Sequence, residues 1–307
     1  MAIHTAPNIE AYLDDLVALL RKTVPLAMRK WDEDAIHDAR VATRRMKAAL
    51  DALACLFPER LLRPFSKTLR RIRRRLGPLR DIDVLVGHLG ELERYPRYAP
   101  GCSWMRQRML QTRQKLRREC SEKTPPSQLL ADLGAWWGLK DAASDINRAA
   151  PPLLLAALPG RIDEFASRAK QLHLAQEQSD HPAGDPHMLR IAGKALRYTL
   201  ELTAAAGLGP QKQVLRQFKQ LQDALGLWHD FAVLSQRTMM AAIEEELPYH
   251  DPALYSHLLR LSHAAWQRAD RRLERFADIW RQTGQVVLGE LSTLLPKPPE
   301  ATPQAVP

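Results

Sequence analysis

One ladder of cationic and imidazole side chains occurs twice in this chain, in the same order and with the same spacing. His37, Arg40, Arg44 and Lys47 are separated by 3, 4 and 3 residues, and His187, Arg190, Lys194 and Arg197 repeat those steps 150 residues later. A second pattern follows each ladder. Leu76-Gly77 with Arg80-Asp81 recurs as Leu225-Gly226 with His229-Asp230 at an offset of 149. At that same offset, Arg70 and Arg73 fall on Lys219 and Gln222. Two motifs repeated in order at nearly one offset imply two related halves, each a basic helix followed by a helix–LG–helix hairpin.

The spacing dictates what a ladder presents. At about 100° per residue, rungs at these steps fall within roughly an 80° arc, so each quartet is a row of donors on one helix face. Val41, Ala42, Met46, Ala49 and Leu50 lie between the rungs of the first ladder and can pack elsewhere. A basic stripe beside an apolar one describes a solvent-facing helix or a helix lining a charged cavity. Its repetition in both halves favours two equivalent helices facing each other across one cavity. Arg63, Lys67, Arg70, Arg73, Arg74 and Arg80 add donors from the next hairpin. Asp81 and Asp230 are read as partners of nearby arginines. Like charges repel in the empty cavity, so replacing Arg40, Arg44 and Lys47 by Glu is expected to leave the fold intact.

The rest of the chain reads as all-α. Apolar residues recur at helical spacing nearly throughout, and no stretch alternates like a strand with hairpin turns. The pattern predicts helices over about 8–30, 32–57, 61–76, 78–95, 102–122, 127–148, 158–178, 186–206, 211–225, 227–247 and 252–290. Asn8, Asp32 and Asp185 are candidate N-caps, the last followed by Pro186 at the first helical position. Breaks are expected at the Pro and Gly clusters, among them Pro151-Pro152 and Pro159-Gly160. The expected organisation is a short lead (1–7), one domain over 8–290 with halves of about 8–150 and 151–290, and a disordered Pro-rich tail over 291–307.

Charge narrows the function. From His37 to Arg80, 13 basic residues face only Asp38, Asp51 and Glu59, a local net of +10 that equals the formal net charge of the whole chain. Of the 45 basic residues 33 are Arg, whose planar fork matches phosphate bidentately. Such clustering points to a polyanionic partner. Cys55, Cys102 and Cys120 form no metal or disulfide motif, which fits a reduced, cytosolic setting. No apolar run is long enough for a membrane helix, and the N-terminal sequence has no leader pattern.

The stretches HDARVATRRMKAAL from His37, LGPLRDIDVL from Leu76, LRIAGKALRYTLE from Leu189 and FKQLQDALGLWHDFAVL from Phe218 resemble the CHAD family, the conserved-histidine α-helical domain. The resemblance spans about residues 8–290. It implies two pseudo-symmetric bundle-like halves around a central basic groove, and binding of inorganic polyphosphate, with association to polyphosphate granules. It implies a stand-alone, non-catalytic member, since no ExExK signature of a fused triphosphatase domain is present. Carried over residue by residue, the matches are His37, Arg40, Arg44, Arg45 and Lys47; Arg73, Arg74, Arg80 and Asp81; His187, Arg190, Lys194, Arg197 and Tyr198; and Lys219. All of these but Asp81, with Lys67 and Arg70 added from the hairpin donors, make up the expected binding set. Ala195 stands where another basic residue is frequent, so the second half is expected to bind more weakly.

Two other readings compete. The basic excess alone allows sequence-independent nucleic-acid binding, although no helix-turn-helix, RRM or zinc-finger pattern is present. The pairs His37-Asp38, His229-Asp230 and His250-Asp251 invite an HD-type metal phosphohydrolase. Their Arg-rich neighbours would repel a dication. Neither a Gly-rich phosphate loop nor a nucleophile elbow occurs, and no catalytic residue, metal ligand or cofactor is assigned.

Overall fold

Asn8 accepts a hydrogen bond from the Ala11 amide at 2.8 Å and starts helix α1 (Ile9–Arg29). Asp32 does the same for α2 (Glu33–Ala52) through the Ala35 amide. A computed structural model describes residues 8–123, 125–177 and 184–295. The expected lead and the tail from Pro296 lie outside them, whereas the first residues of the expected tail belong to the folded domain, with Leu291 buried at the end of the last helix. After α2 come α3 (Glu59–Glu93), α4 (Ala99–Lys123), α5 (Pro126–Leu133), α6 (Ala135–Asp141) and α7 (Ile146–Glu177). Then follow α8 (Pro186–Ala205), α9 (Lys212–Glu244), α10 (Leu247–His250) and α11 (Pro252–Ser292). Asp185 caps α8 through the His187 and Met188 amides. The described residues include no strand, as the apolar periodicity predicts.

Three buried clusters hold these helices together. The first gathers α1, α2, the start of α3, α5 and α6 around Leu13, Ile36, Phe65 and Trp136. The second joins α7, α8, the first part of α9 and the end of α11 around Phe165, Phe218 and Trp280. The third joins the end of α3, α4, the end of α9 and the start of α11 around Leu89, Phe231 and Leu261. Each long helix therefore serves two cores.

This sharing overturns two expectations. Neither LG pair is a turn: α3 runs unbroken through Leu76-Gly77 and α9 through Leu225-Gly226. In α3, Ile72, Leu76, Leu79, Ile82, Leu85, Leu89 and Leu92 continue the buried stripe across the glycine. In α9, Phe218, Leu221, Leu225, Phe231 and Leu234 do likewise. Burial on both sides outweighs the roughly 1 kcal/mol that a helical glycine costs. Similarly, α7 passes through Pro151, Pro152 and Pro159. Ala150 and Leu154 are buried in the first core while Leu158, Ile162 and Phe165 are buried in the second, which fixes the helix across the prolines. Conversely, the helix expected over 127–148 is two short ones, α5 and α6, meeting at Gly134.

An ion pair braces α3 against α4. Arg113 donates to Asp83 at 2.6 Å, with side chains 12% and 2% exposed. Arg113 also donates to the Trp31 carbonyl at 3.2 Å, on a residue held at φ 57 between α1 and α2.

The two helical glycines are not equivalent. A Cβ on Gly77 would lie 2.7 Å from Arg40 Nη1, whereas one on Gly226 would meet nothing within 4 Å. Gly226→Ala is expected to stabilise the protein by about 0.5–1 kcal/mol. Gly77→Ala should gain less, because the Arg40 guanidinium must move. Denaturant melts of the two variants test this, and equal gains would contradict it.

Candidate anion-binding groove

Helices α2 and α8 pack against each other, so the two ladders meet. Between them lies a cavity of about 430 Å³, walled by His37, Arg40 and Arg44 of α2, Arg80 and Asp81 of α3, and Arg190 of α8. Helix α9 closes it with His229, Asp230 and Arg237. A second cavity, of about 560 Å³, is lined by Arg44 and Lys47 of α2, Arg73 of α3, Arg161 of α7, and Arg190, Lys194 and Tyr198 of α8. Arg44 and Arg190 line both cavities, so the two adjoin as neighbouring stretches of one cationic groove with these arginines at its waist. A smaller hollow beside it adds Arg70 and shares Lys47, Asp51 and Arg73 with the second cavity.

Arg40 is fixed in the first wall. Its side chain is 10% exposed and donates to Asp81 at 3.1 Å, in the space that the missing Cβ of Gly77 leaves. Desolvation lowers its pKa, and Asp81 opposes that shift. The reversal of Arg40 with Arg44 and Lys47 is therefore not neutral for the fold, because Glu at position 40 would be buried against Asp81. Its counterpart Arg190 is less committed. Asp230 interacts with it, yet Arg190 Nε is buried and has no hydrogen-bond partner among the described residues. An unsatisfied buried donor costs about 1–3 kcal/mol.

Other residues of the two basic helices have structural work. Arg45 donates to Glu201 of α8 at 2.7 Å, and Arg197 approaches the same carboxylate at 3.5 Å. Arg197 also covers the Tyr198 ring at 4.9 Å. Neither arginine lines either cavity. Since Arg45 is occupied, its counterpart Ala195 removes no cation from the groove wall. Lys47 is exposed and pairs with Asp51. His187 is exposed at the rim, its ring 5.6 Å from that of His229. Lys67 and Arg74 are exposed and line none of these cavities, and neither does exposed Lys219, which pairs with Asp223.

Three wall residues were not assigned to binding from the sequence. His229 was weighed only as half of a metal pair, Asp230 as that or as an arginine partner, and Arg237 not at all. The available signal was helical register, because Arg237 stands eight residues, about two turns, after His229 on one face of α9. His37, His229 and Asp230 line the same cavity, but no cluster of three or more His, Cys, Asp or Glu able to hold a metal ion occurs among the described residues. His250 instead lies 3.2 Å from Glu246.

The CHAD-domain family model matches residues 11–238. The chain belongs to the CHAD family. Its fold is similar to the crystal structure of the CHAD domain from the plant Ricinus communis, with a TM-score of 0.62, 21% identity, and coverage of 94% of this chain and 95% of that one. It is similar also to PptA from Streptomyces chartreusis, with a TM-score of 0.60, 17% identity, and coverage of 88% and 99%. No curated protein matches the chain. The all-α CHAD fold is thus shared well beyond recognisable identity. No helix among the described residues is long and apolar enough to cross a membrane.

Crowding the groove with cations has a measurable consequence in this CHAD domain. Burial, reinforced by Arg190, Arg44 and Arg197, pushes Lys194 down to about 7. Burial and Arg190 push His229 down to about 4, and burial with Arg80 lowers His37. For Lys194 the folded pKa lies below the unfolded one, so the unfolded chain holds more protons between about pH 7 and 10.5. Stability therefore rises with pH through that window. Lys194→Met removes this term. The variant should exceed the native protein in stability more at pH 7 than at pH 9.5 in urea melts, whereas a pH-independent difference would contradict the assignment.

Proposed function

We propose that this CHAD protein binds inorganic polyphosphate in the groove between the two ladders and catalyses no reaction on it. The observation that carries the reading is the waist: Arg44 and Arg190, one rung from each ladder, both line both cavities, and Arg190 holds a buried donor without a partner among the described residues. A phosphate oxygen there would satisfy that donor and neutralise the arginines at once, through charge-assisted bonds worth more than neutral ones. Arg80, His37 and Arg237 would take phosphates in the first cavity, and Lys194, Lys47, Arg73 and Tyr198 in the second. Arg40 would contribute field and one face of its guanidinium while tied to Asp81. Lys67, Arg74 and Lys219 would meet only a chain that extends past the groove, and Arg45 and Arg197 would act through Glu201. Family membership supports the ligand class, and association with polyphosphate granules is the cellular role that follows from it.

A linear chain of phosphates is narrow enough to enter clefts of this size, whereas a nucleic-acid duplex would reach only their rims. Long polyphosphate is expected to displace duplex DNA far better than the reverse at matched phosphate concentration. Equal competition would favour general nucleic-acid binding.

The waist gives a direct test. Arg44→Gln with Arg190→Gln should weaken polyphosphate binding by about a hundredfold or more, given roughly 1.5–3 kcal/mol per hydrogen bond to a charged group. Arg271→Gln with Arg272→Gln removes the same charge from the exposed face of α11 and should change affinity less than threefold, roughly what screened surface charges contribute. Isothermal titration of both pairs reads the outcome, and equal losses would mean that affinity follows net charge alone.

Proton linkage supplies an independent check. A bound polyanion favours the charged forms of Lys194 and His229, so binding should take up protons and tighten from pH 8 to pH 6. In Lys194→Arg, which stays charged, that tightening should shrink. Titrations in buffers of different ionisation enthalpy measure the uptake, and none at pH 7.5 would contradict this reading.

A further inference from the structure

Lys194 is an unusual lysine. It is half-buried in the second cavity, with no ion pair or hydrogen bond to any described residue. The groups that face it are overwhelmingly cationic. They are Arg44, Lys47 and Asp51 from α2, Arg73 from α3, Arg161 from α7, and Arg190, Arg197 and Tyr198 on its own helix. Asp230 of α9 acts on it more weakly than the arginines do. Other lysines are placed differently. Lys22, Lys115 and Lys170 are exposed, and Lys140 is held between Glu10 and Asp14 at 3.0 Å from each.

We propose that Lys194 is a covalent modification site for acyl phosphates, which the arginine-lined groove delivers to its amine. The inference rests on the reading of the groove as a phosphate site. Two requirements for amine acylation meet here. The first is an unprotonated nucleophile, which an ammonium surrounded by guanidinium groups readily becomes; Lys194 sits at about 7, against above 10 for an exposed lysine. The second is an electrophile whose anionic leaving group the site already binds. In an acyl phosphate that leaving group is phosphate itself, and Arg44 and Arg190 would stabilise the charge growing on it. The lone pair of Lys194 Nζ attacks the acyl carbonyl carbon, forming the C–N bond. The C–O bond to phosphorus-bound oxygen breaks, phosphate leaves with the bonding electrons, and the amine loses a proton to phosphate or water. The products are an amide on Lys194 and inorganic phosphate. Acylation removes an amine that bound polyphosphate would protonate and fills part of the second cavity, so it would also lower affinity for polyphosphate.

The test treats the full chain at pH 7.5 with acetyl phosphate and, in parallel, with the uncharged reagent N-acetoxysuccinimide, then follows each lysine by mass spectrometry. Acetyl phosphate should modify Lys194 about tenfold or more faster than Lys22, Lys115 or Lys170, since each unit of pKa is tenfold in free amine, partly offset by weaker nucleophilicity. Its rate should level off above about pH 7, and long polyphosphate should protect it. The treated protein should bind polyphosphate roughly tenfold more weakly, while Lys194→Arg, similarly treated, should not change. Modification of Lys194 no faster than of the exposed lysines would overturn the proposal. Tight polyphosphate binding beside an inert Lys194 would overturn it and leave the binding function standing. Preference for Lys194 by the uncharged reagent but not by acetyl phosphate would overturn both delivery by the groove and the phosphate site on which it rests.

Discussion

Two cationic helix faces do not pack against each other without cost, and the remainder of this CHAD domain is arranged around that fact. Helices α2 and α8 bring Arg44, Arg190 and Lys194 into one cleft, where burial and mutual repulsion disfavour charge. The fold offsets the cost locally. Asp81 pairs with Arg40, and Glu201, one turn beyond Arg197 on α8, pairs with Arg45 and Arg197. It offsets the rest globally, through three apolar cores on the faces that the ladders leave free. What remains uncompensated is concentrated at the waist. Under the proposed function, a bound polyanion would relieve that repulsion and restore protons together.

The repeat is followed in its register but not in its detail. Arg40 and Arg190 are counterparts, yet one is locked to an aspartate over a glycine while the other keeps a donor unmatched. Arg45 and Ala195 are counterparts, yet the arginine serves an interhelical ion pair and the alanine forms cavity wall. The expectation that the second half binds more weakly, drawn from Ala195 alone, loses its physical basis once Arg45 is seen to lie outside the groove. The first half supplies mainly a fixed field; the second supplies adjustable groups.

Much of this was legible in the sequence, and the remainder fails for identifiable reasons. Helical spacing was enough to place His37, Arg40 and Arg44 on one face and to bring Arg190 and Lys194 opposite them. The capping residues Asn8, Asp32 and Asp185 were correctly read. The LG pairs were misread as turns because glycine was given more weight than the apolar stripe running through it, and Pro151-Pro152 misled in the same way. Arg197 is a rung of its ladder, and its i,i+4 partner Glu201 was readable on the same helix, but that Arg45 of α2 reaches the same carboxylate shows only once α2 and α8 are packed together. Arg237 and His229 enter the wall because α9 continues unbroken beyond Gly226, which no local pattern around that glycine conveys.

The most direct measurement of the central claim is a crystal structure with a linear polyphosphate of defined length. The account predicts phosphates bridging Arg44 and Arg190, with an oxygen within hydrogen-bond distance of Arg190 Nε. Phosphates bound only to outer arginines such as Arg74 or Arg271, with the waist empty of ligand, would contradict it.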